Sequence, residues 1–143
     1  MKEIIGNIWD QKDADAICVT TNGVIKSNGQ LVMGKGIALE AAKRFPDLPR
    51  VFGRLVNTFG NNVYPYIAGG FTIFSFPTKH HWKDNSDIEL IKKSAQQLVE
   101  RTVTYKHIYL TRPGCGCGGL EWQNVRNVLD SIFDDRFIVV ERI

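Results

Sequence analysis

No stretch of the 143-residue sequence is apolar for long enough to span a bilayer. The opening residues, MKEIIGNIWD, also lack the long apolar segment of a secretion signal. A cytoplasmic chain with no membrane partner is therefore expected. Cysteine is scarce: Cys18, Cys115 and Cys117 are an odd number without framework spacing, which favours free thiols over disulfides. No five-residue run of Lys and Arg occurs, and the formal charge of +3 is mild, compatible with an anionic ligand without requiring one. The phosphate-loop pattern G-x-x-x-x-G-K-S/T is absent, and no G-x-G-x-x-G follows the first strand-like run, so neither standard nucleotide fingerprint applies.

What is present alternates between two periodicities. Lys2–Ile8 and Asp15–Thr21 read as strands, the second (DAICVTT) nearly continuous in apolar residues, as a sheet covered on both faces requires. Helical spacing starts at Gly36, with Ile37, Ala41 and Phe45 four apart, and stops at Pro46; Arg50–Phe59 is a second helix. Asn62–Ile67 and Phe71–Phe76 are strands joined by a hairpin at Ala68-Gly69-Gly70. Ser86 with Glu89 forms a capping box for a helix burying Ile88, Ile91, Ala95, Leu98 and Val99. His107–Thr111 is a strand, Trp122–Phe133 a helix with Val125, Val128, Leu129, Ile132 and Phe133 inward, and Phe137–Val140 a last strand. No linker, repeat or low-complexity tract interrupts the order. One α/β domain over residues 1–143 is expected, its central sheet mixed but mostly parallel, with helices on both faces.

In such sheets ligands bind where strands hand over to helices. Three junctions qualify: Thr21–Gly36, Phe76–Ser86 and Arg112–Trp122. The first and third are glycine-rich and lead into helices, whose opening amides are unpaired and attract phosphate. Glycines there are equally at home as turns and caps, but two loops at matching topological positions favour a shared anion, such as a pyrophosphate. The second junction, SFPTKHHWKDNS, holds Lys79 three residues past the strand end. A rim lysine is ordinarily a solvated charge; its functional reading is a cation or nucleophile over the same cleft. Cys115-x-Cys117 lacks the two intervening residues of a zinc half-site or redox pair, and His80 and His81 on extended backbone point oppositely. No metal and no cofactor are expected; Cys115 reads as filler, Cys117 as loop lining, and Cys18 as core.

Taken in order, GNI at Gly6-Asn7-Ile8, DAICVTTNG, VMGKGIALEAAKRFP, FPTKHHWKDNS and RPGCGCGGLEWQNV resemble a macrodomain, the three-layer α/β/α module that binds ADP-ribose. The resemblance covers Lys2 to Val140 and is greatest to the branch containing terminal ADP-ribose glycohydrolases and DNA ADP-ribosyl glycohydrolases. It implies ADP-ribose or an ADP-ribosylated substrate as partner, with single-stranded DNA as a further one; a monomer is expected. Ile8 and Thr21 would line the ligand site and Asn22 would lie near the distal ribose. Met33, Gly34, Lys35, Gly36 and Ile37 would form one phosphate loop, and Gly114, Cys115, Gly116, Cys117, Gly118, Gly119 and Leu120 the other. Lys79 matches the catalytic lysine of the DNA-acting branch, flanked by Thr78 and Trp82. His80, His81, Trp82 and Lys83 would form a nucleic-acid rim. Where many macrodomains carry G-D-I, this chain has Asn7, leaving Asn7 or Asp15 to hold the adenine. Gly118 stands where protein-directed glycohydrolases carry an acid. The implied activity is hydrolytic release of terminal ADP-ribose from modified DNA bases; the alternatives are a phosphatase acting on ADP-ribose 1″-phosphate and a non-catalytic reader. The segment VIKSNGQLV is longer than its counterpart in the DNA-acting branch.

Overall fold

A computed structural model describes residues 1–143. Six strands form one sheet: β1 (Lys2–Gly6), β2 (Ala16–Thr21), β3 (Pro65–Ala68), β4 (Phe71–Pro77), β5 (Ile108–Thr111) and β6 (Phe137–Arg142). Their spatial order is β1-β6-β5-β2-β4-β3, and every neighbouring pair is parallel except the β3–β4 hairpin at one edge. Four helices, α1 (Gly36–Arg44), α2 (Leu48–Phe59), α3 (Ile88–Arg101) and α4 (Trp122–Asp130), cover the two faces. None is long and apolar enough to cross a membrane.

The period-two alternation of strand side chains assigns each residue to one core or the other. In β2, Ile17 and Val19 join Ile37, Ala41, Phe52 and Val56 of α1 and α2. Their neighbours Ala16 and Cys18 join Ile91, Ala95, Leu98, Val125 and Leu129 of α3 and α4. Burial on both faces is why β2 lacks the polar alternation of a surface strand. It leaves Cys18 1% exposed, and burial holds its thiol far above the ordinary cysteine range, so it acts as a small core hydrophobe.

Several boundaries differ from those expected. β1 stops at Gly6, because Asn7 caps a 3-10 turn over Ile8–Asp10 by accepting the Trp9 N–H at 3.0 Å. β3 begins only at Pro65, because the Asn62 carbonyl and the Tyr64 N–H both bond the Ser75 hydroxyl instead of a regular ladder. α2 starts two residues early, at Leu48, with Pro49 in its first turn, where a missing N–H costs nothing. Asp87, not Ser86, caps α3, its carboxylate accepting the Glu89 N–H at 2.9 Å. That places Leu90 and Ser94 inward with Ile91, Ala95 and Leu98, while Ile88 and Val99 are half-buried. α4 ends at Asp130, and Val128 and Ile132 are half-buried; Phe133 lies just beyond the helix and stacks on Phe137 with ring centroids 4.1 Å apart.

Candidate functional site

β5, β2 and β4 are the adjacent central strands, so parallel pairing brings the three glycine- and lysine-bearing junctions to one end of the sheet. There they enclose a cleft of about 740 Å³, within the range typical of small-ligand sites.

The first wall is the junction after β2. Asn22 lines the cleft, but its side chain also braces the following loop: its amide nitrogen donates to the Val32 carbonyl and its oxygen accepts the Val24 N–H, both at 2.9 Å. Met33, Gly34, Lys35, Gly36 and Ile37 complete this wall. Gly36 opens α1 at φ +56°, a conformation that favours glycine, and no side chain caps the helix. Its first amides are therefore available to an anion. β-Carbons at Gly34 or Gly36 would meet no other atom.

The opposite wall is the junction after β5. Gly114, Cys115, Gly116, Cys117 and Gly118 line it, with a 3-10 turn over Gly116–Gly118 and Gly116 at φ +67° facing open space. Cys115 packs partly into the core, and burial raises its thiol pKa against the opposing effect of Arg112; Cys117 is exposed. Gly119 and Leu120 do not line the cleft, contrary to expectation: a β-carbon at Gly119 would press on Asn85, and Leu120 packs toward the α3–α4 core.

The junction after β4 borders the same cleft. The Thr78 N–H donates to the Thr21 carbonyl at 3.0 Å, its carbonyl accepts the Asp87 N–H at 2.9 Å, and the Ser94 hydroxyl donates to the Pro77 carbonyl at 2.7 Å. So fixed, the segment sends the Lys79 side chain across the cleft mouth. Its ammonium donates to the Cys117 carbonyl at 3.2 Å and, less closely, to the Trp82 carbonyl at 3.4 Å. Trp82 lines the cleft, 45% exposed. His80, His81 and Lys83 do not: His80 bonds Asp87 at 2.8 Å, the His81 ring lies 5.3 Å from that of Trp82, and Lys83 sits over the Trp82 ring.

Both residues considered for the adenine lie outside the lining. Asn7 is occupied as the cap before Ile8, which does line the cleft. Asp15 precedes the amino end of β2, about 20 Å along the strand from the cleft, where its carboxylate accepts the Lys106 and His107 N–H groups at 2.8 Å. Thr20, Val32, Ala38, Ser86, Thr111, Arg112 and Arg142 line the cleft without having been expected there. Thr111 and Arg112 at the end of β5 and Arg142 at the end of β6 follow the same strand-end rule that marked the junctions. Ser86 closes the junction after β4, where its sequence context points only to a helix cap; its hydroxyl is instead buried, without a partner, beside Gly118.

No family model matches the chain. Among curated proteins it is 33% identical over 104 residues to the DNA ADP-ribosyl glycohydrolase of Thermus aquaticus, a match covering 66% of this chain and 29% of that protein. The chain spans about a third of the length of the curated relatives it matches. The solved macrodomain of Mycobacterium tuberculosis DarG aligns with a TM-score of 0.81 at 26% identity, covering 97% of this chain and 95% of that one. Thermosipho africanus DarTG, solved in complex with ADP-ribose, aligns with a TM-score of 0.76 at 26% identity, covering 92% and 39%. A single sheet between two helix layers, its glycine junctions gathered at one end, together with these likenesses along nearly the whole chain, gives the protein the macrodomain fold.

Proposed function

We propose that the cleft binds a terminal ADP-ribose and that the protein hydrolyses its link to a DNA base. The diphosphate would lie between the opening amides of α1 and the Gly114–Gly118 turn, both of which line the cleft. One observation carries the hydrolase reading: the Lys79 ammonium stands at the cleft mouth, held by carbonyls from its own junction and from the glycine turn opposite. A lysine with two donated bonds still has an N–H to offer, and in that state it supplies positive charge rather than a lone pair. In the reaction water adds its hydroxyl to the anomeric carbon, the bond from that carbon to the base breaks, and water's proton passes to the departing base. The Lys79 charge would stabilise the negative charge developing on that base. Names of relatives support the substrate class: the curated relatives are DNA ADP-ribosyl glycohydrolases, and one solved relative holds ADP-ribose. Ser86, buried at the cleft wall without a partner, offers the ligand a further hydrogen bond.

The test is Lys79→Ala on ADP-ribosylated single-stranded DNA. Release of ADP-ribose should fall by about a hundredfold or more, while calorimetry shows ADP-ribose affinity retained. Undiminished release removes Lys79 from the mechanism. Tight ADP-ribose binding by the unmodified protein without release from DNA selects the reader, and phosphate release from ADP-ribose 1″-phosphate selects the phosphatase.

A further inference from the structure

The segment over residues 24–32 braces Asn22 but contributes little lining to the cleft; most of it faces elsewhere. It is a tight hairpin: Ile25 bridges Leu31, the Lys26 N–H donates to the Gln30 carbonyl at 2.8 Å, and the Gly29 N–H returns to Lys26 at 2.9 Å. α2 clamps it from below. The Leu31 N–H donates to the Pro49 carbonyl at 2.9 Å, and the Gly29 carbonyl lies so near α2 that a β-carbon on Gly53 would meet it at 2.0 Å. Between hairpin and helix remains a second cavity, about 430 Å³, with Lys26 and Ser27 on one wall, Arg50, Arg54 and Asn57 on the other, and Ile25 as its only hydrophobic residue.

This groove is cationic and largely unneutralised. Arg50 has Asp47 at 3.6 Å, whereas Lys26 and Arg54 have no carboxylate within salt-bridge reach. Residues 24–62 carry six Lys or Arg against two Asp or Glu; the rest of the chain carries twelve against thirteen. The mild net charge is therefore concentrated in this segment, and three of its six cations line the groove. Arg50 and Arg54 share one side of α2, about 6 Å apart along its axis, and the clamped hairpin fixes Lys26 opposite them. Segments next to the groove are also tied to the lysine junction of the cleft. Asn57 is four residues before Asn61, whose amide donates to the Lys79 carbonyl at 3.0 Å, and the Gly23 N–H holds the His80 carbonyl at 3.2 Å. A spaced row of cations with hydrogen-bonding neighbours and almost no apolar lining matches a sugar–phosphate backbone rather than a hydrophobic ligand.

We propose that the groove between the 24–32 hairpin and α2 binds the backbone of the single strand whose modified base lies in the cleft. This rests on the DNA reading above. Neither Lys26 nor Arg54 makes a side-chain hydrogen bond or ion pair in the fold, so Lys26→Gln/Arg54→Gln is chosen as the variant, with Tm as the control for folding. Binding of an unmodified single-stranded oligonucleotide is measured by fluorescence anisotropy across a salt series. The variant should lose about tenfold in affinity at low salt, and its slope of log affinity against log salt should shrink by about 1.4 for two lost charges. Its KM for an ADP-ribosylated oligonucleotide should rise with kcat unchanged, and its turnover of an ADP-ribosylated nucleoside should match the wild type. Equal oligonucleotide affinity and slope in the two proteins overturns the groove, as does a wild type with no salt-sensitive affinity for the strand. A wild type that binds the strand through these residues yet releases no ADP-ribose sinks the hydrolase reading and leaves the groove standing.

Discussion

Gly118 and Ser86 define the cleft wall by mutual exclusion. A β-carbon on Gly118 would meet the Ser86 hydroxyl at 2.3 Å and its β-carbon at 3.2 Å, so an acidic residue has no room there while Ser86 holds its place. Gly118→Ala should cost about 1–3 kcal/mol, as overpacking does. Combined with Ser86→Ala, which removes the closer contact, the loss should be smaller than the sum; additive Tm shifts in a double-mutant cycle would contradict this. Ser86→Ala alone separates stability from binding. Its hydroxyl is buried unpaired, so its removal should leave Tm unchanged or raised, yet weaken ADP-ribose binding several-fold, by about 1 kcal/mol. Unchanged affinity by calorimetry would show that the ligand does not use Ser86.

Helix α2 shows how an element can overrule residue propensity. Alanine is ordinarily about 1 kcal/mol better than glycine inside a helix, and Gly53 lies mid-helix. Here the Gly29 carbonyl and the Leu31 N–H of the neighbouring hairpin occupy the space a β-carbon needs, at 2.0 and 2.8 Å. Gly53→Ala should therefore lower Tm, by an amount equivalent to about 1–3 kcal/mol, and make residues 24–32 the first site of limited proteolysis. A raised Tm would mean that the hairpin does not rest on α2 in solution. The same contact explains why the longer loop is ordered: it replaces solvent on a helix face and ties its own backbone down at Pro49.

At the scale of the whole molecule, ion pairs join the β1–β6 side of the sheet to the helix layers. Glu40 of α1 accepts from Arg142 of β6 at 2.6 Å and from Trp9 at 2.9 Å; Glu3 of β1 accepts from Arg126 at 2.8 Å and Trp122 at 3.1 Å of α4. The bond from Arg142 foremost holds the Glu40 carboxyl below its ordinary 4.5, and that from Arg126 does the same for Glu3. A carboxylate with a lowered folded pKa stabilises the fold above its unfolded pKa and loses that contribution as pH falls through the folded value. Wild-type Tm should therefore drop between about pH 5 and about pH 3, and Glu3→Gln/Glu40→Gln should drop less over the same range. Parallel pH profiles would show that these pairs carry no net stability, as exposed pairs often do.

Local chemistry alone specified much of this protein. Unbroken apolar character marked β2 as a strand buried on both faces, the alternation of elements required a largely parallel sheet, and glycine at Gly34, Gly36, Gly114 and Gly116 marked the turns into α1 and α4, because periodicity and backbone freedom are properties of short segments. Tertiary structure decided what depends on which segments become neighbours. Parallel pairing of β5, β2 and β4 brought Lys79 within reach of the Cys117 carbonyl, thirty-eight positions away in sequence. It carried Asp15 to the opposite end of the same sheet, buried the Ser86 hydroxyl against Gly118, and turned three scattered cations into one groove. A side chain's partners across the fold leave no trace in its own neighbourhood of sequence.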